Sequence, residues 1–292
     1  MEAFAHQVIS GLATGGIYAS IALALVMVYQ ATHLVNFAQG EMAMFSTYGA
    51  WTLIRAGVPY WETFFIVIVI SFLAGVLLER FVVRPVAARS VLSVVVIFIG
   101  LLVIFNSVAG WIWTYSVQTF PSPFLDTVFP SNKYITSHEF GSLVVMLVEL
   151  AVLFVFFRYT SLGLAMRAAA HNPVSSRLVG VRVDMMLALG WGIAAALGAV
   201  AGMMIAPIVF LEPNMMLGVL LYGFAGAVLG GLASPLGAVC GGLIVGVIEN
   251  LAGTFIPVIG GELKFTIALV VIVAVLLMKP QGLFGRPVLH RV

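Results

Sequence analysis

Nine apolar stretches recur along the chain, each about 18 to 24 residues long, and they constrain its fold more than any other feature. A helix needs about 20 mostly apolar residues to cross a bilayer. The stretches are too long for barrel strands and lack their alternation. The sequence therefore predicts an all-α, polytopic transmembrane helical bundle, with segments at residues 8–30, 38–55, 61–82, 91–114, 140–158, 185–207, 215–232, 236–255 and 262–279.

The bulk composition agrees with a membrane protein. Of 292 residues, 62% are apolar and 8% are charged, whereas soluble domains have about 45–50% apolar and about 25% charged residues. The single cysteine, Cys240, excludes an intrachain disulfide and is expected to be a buried, inert thiol. The N-terminal residues lack the basic region of a cleavable signal. The longest connection, 115–139, is too short for a domain, so residues 1–292 are predicted to form one integral membrane unit.

Charge placement predicts the topology. Basic residues cluster in three connections, at Arg80, Arg84 and Arg89, at Arg158, Arg167, Arg177 and Arg182, and at Lys279, Arg286 and Arg291. The positive-inside rule places these segments, and the C-terminus, in the cytoplasm. The other connections carry Glu62, Asp126, Glu139, Glu212 and Glu262 and are expected to face outward.

The segment 38–55 leaves the number of crossings open. It is short and polar at its start, so it either spans the membrane or forms a broken or re-entrant helix. The chain thus has nine crossings, or eight with one such segment. The side of the N-terminus differs between these alternatives.

Three glycine pairs are spaced four residues apart, at Gly11 and Gly15, Gly237 and Gly241, and Gly242 and Gly246. Small residues at this spacing share one helix face and allow close helix packing in lipid. We interpret them as packing surfaces. The alternative is that the smooth faces also let helices shift during gating.

Residues 163–180, GLAMRAAAHNPVSSRLVG, form a basic segment without acids. The run LAMRAAAH favours a helix, and Pro173 disfavours helical conformation at Asn172. The run VSSRLVGV has the composition to restart a helix. Residues 159–184 are therefore predicted to form a cytoplasmic elbow of one or two short helices. The alternative is a solvated loop whose arginines set topology and contact anionic lipid.

The sequence contains no recognisable ATP-hydrolysing or other catalytic site. It contains no Gly-Lys pair, and so no G-x-x-x-x-G-K-[ST] phosphate-binding loop. No His or Cys grouping resembles a metal site, and no nucleophile stands beside a base. The chain is predicted not to be an enzyme, and nucleotide-driven transport would need an ATPase on another chain.

Four motifs, in order, resemble one family. They are GLATGGIYASIALALVMVYQATHLVNFAQGEMAMF from residue 11, GLAMRAAAHNPVSSRLVGV from 163, AVLGGLASPLGAVCGGLIVGVIEN from 227 and LLMKPQGLFG from 276. Together they are similar to permease subunits of branched-chain amino acid ABC importers, from about residue 8 to residue 286.

The resemblance implies a set of partners and a cargo. It implies a second related permease, two cytoplasmic ATPase subunits that bind ATP, and an extracytoplasmic substrate-binding protein, with no cofactor on this chain. The cargo would be leucine, isoleucine and valine, and related permeases carry urea, amides or other amino acids. The elbow would dock on the ATPase, through Gly163, Arg167, Ala168, Ala170, Asn172 and Gly180.

Polar residues inside the predicted spans are candidates for a translocation path, because buried ionisable groups in membranes are costly. Neutral amides can hydrogen-bond a zwitterion without a large charge barrier. Glu41 either starts a helix within the membrane or is an interfacial acid, and a structural role is favoured for it. The candidates are Asn36, Gln39, Glu41, Asn106, Glu249 and Asn250. For Asn106, Glu149, Glu249 and Asn250, a structural hydrogen bond to a neighbouring helix is favoured over a substrate role.

A secondary transporter or channel is the alternative class of function. Glu149 and Glu249 would then be its coupling acids. Two lone acids on different spans, without a basic partner or proton relay in sequence, favour this class less than the importer. A membrane enzyme would need a catalytic constellation that the sequence does not contain.

Overall fold

The computed structural model of the chain describes residues 2–32, 34–87, 90–124, 135–256 and 263–285. The helices are α1 (Glu2–Thr32), α2 (Gln39–Arg55), α3 (Tyr60–Leu78), a π-helix (Glu79–Val83), α4 (Arg84–Ala87), α5 (Val91–Trp113), α6 (Ser137–Tyr159), α7 (Ser161–His171), α8 (Pro173–Leu178), α9 (Val183–Val209), α10 (Met216–Gly230), α11 (Pro235–Phe255) and α12 (Lys264–Met278). Gln118 and Leu211 form an isolated antiparallel bridge. Five of the charged residues used for topology lie outside the described residues: Arg89, Asp126, Glu262, Arg286 and Arg291.

Each of the nine predicted segments coincides with a helix. Six helices in the described ranges are long and apolar enough to cross a membrane: Ala3–Gln30, Tyr60–Val86, Val91–Trp113, Ser137–Tyr159, Val183–Val209 and Pro235–Phe255. Helices α10 and α12 are shorter apolar helices. Helix α2, with 17 residues, is about 26 Å long at 1.5 Å per residue, less than the roughly 30 Å hydrocarbon core. The helical, multi-pass class is confirmed, and the count of eight or nine crossings stays a prediction.

The helices group into two compact units, each assembled from separated parts of the chain. Unit 1 comprises Met1–Val26, Phe124–Leu143 and Gly218–Val292, and unit 2 comprises Met27–Pro123 and Val144–Leu217. The chain passes from one unit to the other four times: within α1, between Pro123 and Phe124, within α6 and within α10. The prediction of a single integral membrane unit over residues 1–292 stays a prediction.

Helix α9 is the centre of unit 2, and α2 and α3 pack against it. Glycines allow these helices to approach closely. A Cβ added at Gly75 of α3 would lie 2.6 Å from the Trp191 carbonyl oxygen, and one at Gly202 would lie 2.3 Å from Thr47 Oγ1 of α2. The rings of Phe98 and Trp191 lie 5.7 Å apart, which brings α5 onto the same helix. Most of α9 is consequently buried.

In unit 1, the predicted glycine faces are close helix contacts. A Cβ added at Gly246 of α11 would lie 2.3 Å from Gly15 Cα of α1, and one at Gly242 would lie 2.4 Å from Ala19 Cα. Another at Gly241 would lie 2.0 Å from the Gly226 carbonyl oxygen of α10. No side chain fits at these distances, so the packing interpretation is confirmed. The gating interpretation stays a prediction.

The structure corrects the prediction for Cys240. Its side chain is exposed on α11, so the expectation of a buried thiol is wrong. The next two positions, Gly241 and Gly242, are the ones that face α10 and α1. Neighbouring positions on a helix point in different directions, about 100° apart, and position 240 lies away from both contacts.

Candidate functional site

Asn36 uses its side chain to start α2. Its Oδ1 accepts a hydrogen bond from the Ala38 N–H at 3.1 Å, and its backbone carbonyl accepts one from the Gln39 N–H at 3.2 Å. Asparagine commonly stabilises turns through such local bonds. The residue is fully buried. Its observed role is therefore to organise the entry into α2, and its role in a path stays a prediction.

Gln39 joins the first turn of α2 to α9. Its Nε2 donates to the Ala194 carbonyl oxygen at 2.8 Å. Gly198 makes room for this amide, because a Cβ there would lie 2.8 Å from Nε2. Gln39 is fully buried, and its Oε1 has no hydrogen-bond partner among the described residues. A buried acceptor left unpaired costs about 1–3 kcal/mol. This oxygen is therefore an acceptor at the start of α2 that can still take a hydrogen bond.

Glu41, Asn106 and Asn214 form a polar cluster in unit 2. Asn106 Nδ2 lies 3.3 Å from Glu41 Oε2 and 3.1 Å from both Asn214 Oδ1 and the Pro213 carbonyl oxygen. The Tyr115 hydroxyl donates to Asn106 Oδ1 at 3.4 Å. Glu41 is buried. One amide thus connects α2, α5 and the connection that follows α9.

Glu249 and Asn250 join α11 to α1 in unit 1. The buried Tyr18 hydroxyl donates to Glu249 Oε2 at 3.0 Å. Asn250 Nδ2 donates to Thr14 Oγ1 at 2.9 Å. These bonds connect the same two helices that meet at the glycine faces. The observed contacts agree with the structural alternative, and a path role for either residue stays a prediction.

The structure therefore sorts the six candidate path residues into three groups. Glu41 and Asn106 contact each other, Asn36 and Gln39 make separate contacts at the start of α2, and the remaining two belong to unit 1. Two of the residues that contact these candidates were not predicted. Asn214 could have been suspected as an amide in the polar stretch EPN, whereas Tyr18 carries no local signal, because its acceptor is 231 residues away.

The elbow was predicted to contain one or two short helices, and the structure shows two, α7 and α8. The Thr160 side chain caps α7 by accepting from the Gly163 N–H at 3.0 Å. Gly163 also permits the tight turn out of α6, because a Cβ there would lie 2.4 Å from the Phe156 carbonyl oxygen. Asn172 caps α8 by accepting from the Ser175 N–H at 3.0 Å. Gly180 follows α8 with a φ of +85°, a left-handed conformation that suits glycine.

Three of the six predicted docking residues thus have a clear role in shaping the elbow, namely Gly163, Asn172 and Gly180. The other three lie on α7. Arg167 is exposed, whereas Ala168 and Ala170 are half-buried. The buried residues of α7 are Gly163, Met166 and Ala169, and α7 packs against α9.

The exposed surface of the elbow carries apolar side chains as well as Arg167 and Arg177. Its exposed side chains include Leu164 (61%), Val174 (71%), Leu178 (84%) and Val179 (79%). Between α7 and α9 lies a small cavity of about 30 Å³, lined in part by Met27, Met186 and Gly190. The elbow thus has one face seated on α9, and its exposed surface combines apolar side chains with arginines.

Comparison with known proteins gives consistent results over the whole chain. A family model described as the permease component of the branched-chain amino acid transport system matches residues 7–278. The high-affinity branched-chain amino acid transport system permease protein LivH of Escherichia coli (strain K12) is 30% identical over 310 residues, covering 99% of this chain and 98% of the relative. The corresponding protein BraD of Pseudomonas aeruginosa is 28% identical over 309 residues, with the same coverage.

A solved structure supports the fold alone. PsaBC from Streptococcus pneumoniae in complex with Fab matches with a TM-score of 0.51 and 11% identity, over 93% of this chain and 91% of that one. The family match is much more specific, because it spans the elbow and both sets of polar residues. The chain belongs to the family of permease components of branched-chain amino acid transport systems.

Proposed function

We propose that this chain is the transmembrane permease subunit of an ABC importer for leucine, isoleucine and valine. The observation that carries the proposal is its full-length relation to LivH and BraD, which are both permeases for branched-chain amino acids by name. The importer would contain a second related permease, two ATPase subunits that hydrolyse ATP, and an extracytoplasmic binding protein. This chain would supply the path and no catalysis.

The elbow is the proposed contact with the ATPase. Its uncovered face carries Val174, Leu178 and Val179, each more than two-thirds exposed. Clustered apolar side chains on a short polar connection favour burial against another protein. Arg167, exposed on α7, would add a charge-assisted contact. This assignment places the elbow and the C-terminus in the cytoplasm.

The polar residues of unit 2 are the proposed contacts of the substrate in transit. An amino acid crosses as a zwitterion, and its ammonium group needs acceptors. Gln39 offers a buried Oε1 without a hydrogen-bond partner in the described part of the chain, and Glu41 offers a buried carboxyl group. Asn106 and Asn214 add amides that can pair with either end of a zwitterion.

Cross-linking tests the elbow assignment directly. Cys240 is the single cysteine, so Cys240→Ser provides a background without thiols. In this background, Leu178→Cys should cross-link to the ATPase in membranes. Trp111→Cys is the control, because Trp111 of α5 is equally exposed, and it should not cross-link. Labelling of the Leu178→Cys variant by a membrane-impermeant thiol reagent added to intact cells would contradict the orientation.

Transport measurements test the function. Reconstituted with its partners, the chain should support ATP-dependent uptake of leucine, isoleucine and valine, with urea, amides and other amino acids competing poorly. The Arg167→Glu, Ala170→Glu variant should retain the fold yet lose coupling, so ATP hydrolysis proceeds with little uptake. Leucine accumulation without ATP, abolished by an ionophore, would refute the proposal in favour of an ion-driven transporter.

A further inference from the structure

A second cavity lies in unit 2, next to the elbow and separate from the polar cluster. It is a cavity of about 360 Å³, a volume within the range of small-molecule sites, about 300–1,000 Å³. Its lining comes from α1, the π-helix, α4, α5, α8, α9 and the connection after α1. The lining includes Glu79, Arg84, Val91, Arg177, Asp184 and Trp191.

One part of the lining carries two positive and two negative side chains. Arg84 forms two hydrogen bonds with the Glu79 carboxylate, and its Nη2 also donates to the Asp184 carbonyl oxygen at 2.8 Å. Arg177 Nη2 lies 2.9 Å from Asp184 Oδ1. Arginine has five N–H donors, and each carboxylate has about four acceptor positions. These groups therefore retain donors and acceptors for a ligand.

The outer pair is the one that a ligand can most readily rearrange. The side chains of Arg177 and Asp184 are 62% and 60% exposed, and an exposed ion pair contributes little to stability. Glu79 is buried and lies in the π-helix. π-Helical turns are rare and often occur at functional sites. The Arg84–Glu79 pair is thus held by a buried carboxylate, whereas the exposed Arg177–Asp184 pair can change partners.

The remainder of the lining is mainly apolar. Val83, Val94 and Trp191 are buried, and the Trp191 ring is held by contact with Phe98. Val91 is mostly exposed at one edge of the cavity. Branched and aromatic side chains therefore stand beside a group of charges whose formal sum is zero.

We propose that this cavity binds the zwitterion of an aliphatic α-amino acid. The ligand carboxylate would pair with Arg177, its ammonium group with Asp184 or Glu79, and its branched side chain would contact Val94 and Trp191. Two arginines and two carboxylates match a zwitterion, which can pair with both kinds of group. A simple anion would pair only with the arginines, and a simple cation only with the carboxylates. The choice of ligand rests on the proposed function, since the same amino acid would be the transported product.

The location gives the site a consequence for transport. The charged chain connects Arg177 of the elbow to Glu79 at the end of α3. An amino acid bound between them would hold these elements together. Accumulated product would therefore slow elbow movement and reduce the ATP hydrolysis of the assembled transporter.

Binding measurements on the two permeases and two ATPase subunits, assembled without the substrate-binding protein in nanodiscs of phosphatidylglycerol, test the site. Labelled L-leucine should bind saturably, and Val91→Trp, which fills the exposed edge of the cavity, should weaken this binding at least tenfold. Leu92→Trp is the matched control, because Leu92 is similarly exposed but does not line the cavity. Isoamylamine and 4-methylvalerate, which each carry one of the two charges, should compete at least tenfold more weakly than leucine.

Several outcomes would overturn the proposal. Leucine binding that is equal in wild type and Val91→Trp would place the ligand elsewhere, and absence of binding would remove the site. Phosphatidylethanolamine that copurifies with wild type but not with Val91→Trp, without leucine binding, would make the cavity a lipid site. Uptake at low internal leucine should be normal in Val91→Trp, so loss of the proposed transport function is distinguished from loss of this site.

Discussion

The contact between α1 and α11 gives the most direct test of the packing in unit 1. The perturbation is Gly246→Ala, which adds one methyl group. That carbon would lie 2.3 Å from Gly15 Cα, 2.5 Å from Gly15 N and 2.6 Å from the Gly11 carbonyl oxygen. All three are backbone atoms, so no side-chain rotation can relieve the clash.

The magnitude follows from these distances. Carbon atoms pack at about 3.5–4.0 Å, so the two helices would have to separate locally by about 1 to 2 Å. Overpacking of this kind costs about 1–3 kcal/mol, and the upper part of that range is expected because the obstacle is backbone. Replacing a helical glycine by alanine also gains up to about 1 kcal/mol from helix propensity. A control must therefore remove that gain.

Gly100→Ala is the control, because Gly100 lies in α5 and a Cβ there would have no neighbour within 4 Å. The free energy of unfolding of both variants would be measured by SDS titration in mixed micelles, followed by circular dichroism. Gly246→Ala should be less stable than Gly100→Ala by about 1–3 kcal/mol. Adding Gly15→Ala to Gly246→Ala should lower the free energy of unfolding by less than Gly15→Ala does alone. A single separation of the two helices would relieve both contacts. Equal stability of the two single variants would refute the packing account.

Two further predictions concern buried polar contacts. Asn106→Ala removes the donor to Glu41 and should lower the free energy of unfolding by about 1–3 kcal/mol. Asn106→Asp places an acid beside Glu41 and should lower it further. The reverse order in the same SDS titration would contradict the hydrogen bond. Glu249→Gln keeps an acceptor for the Tyr18 hydroxyl and should cost less than Glu249→Leu, which leaves that hydroxyl buried without this acceptor at a cost of about 1–3 kcal/mol. If Tyr18→Phe restores no stability to Glu249→Leu, the proposed pairing is wrong.

Some local features of this fold were readable from short stretches of sequence. The interruption at Asn172 and Pro173 predicted the break between α7 and α8, because the cap and the proline constraint act within one helical turn. The glycine spacing predicted which faces of α1 and α11 approach closely. Cys240 shows the limit of such inference, since glycine on both sides of it indicated burial but not the direction in which its own side chain points.

The sequence by itself determined that this chain is a helical membrane protein, because apolar length decides whether a segment can enter lipid and needs no knowledge of its neighbours. It also determined the family, through motifs spread along the chain. Only the tertiary structure decided that Glu41 meets Asn106 across 65 residues, that Tyr18 holds Glu249 across 231, and that two ion pairs border one cavity. These contacts depend on the rotation and register of each packed helix, which hydropathy does not encode.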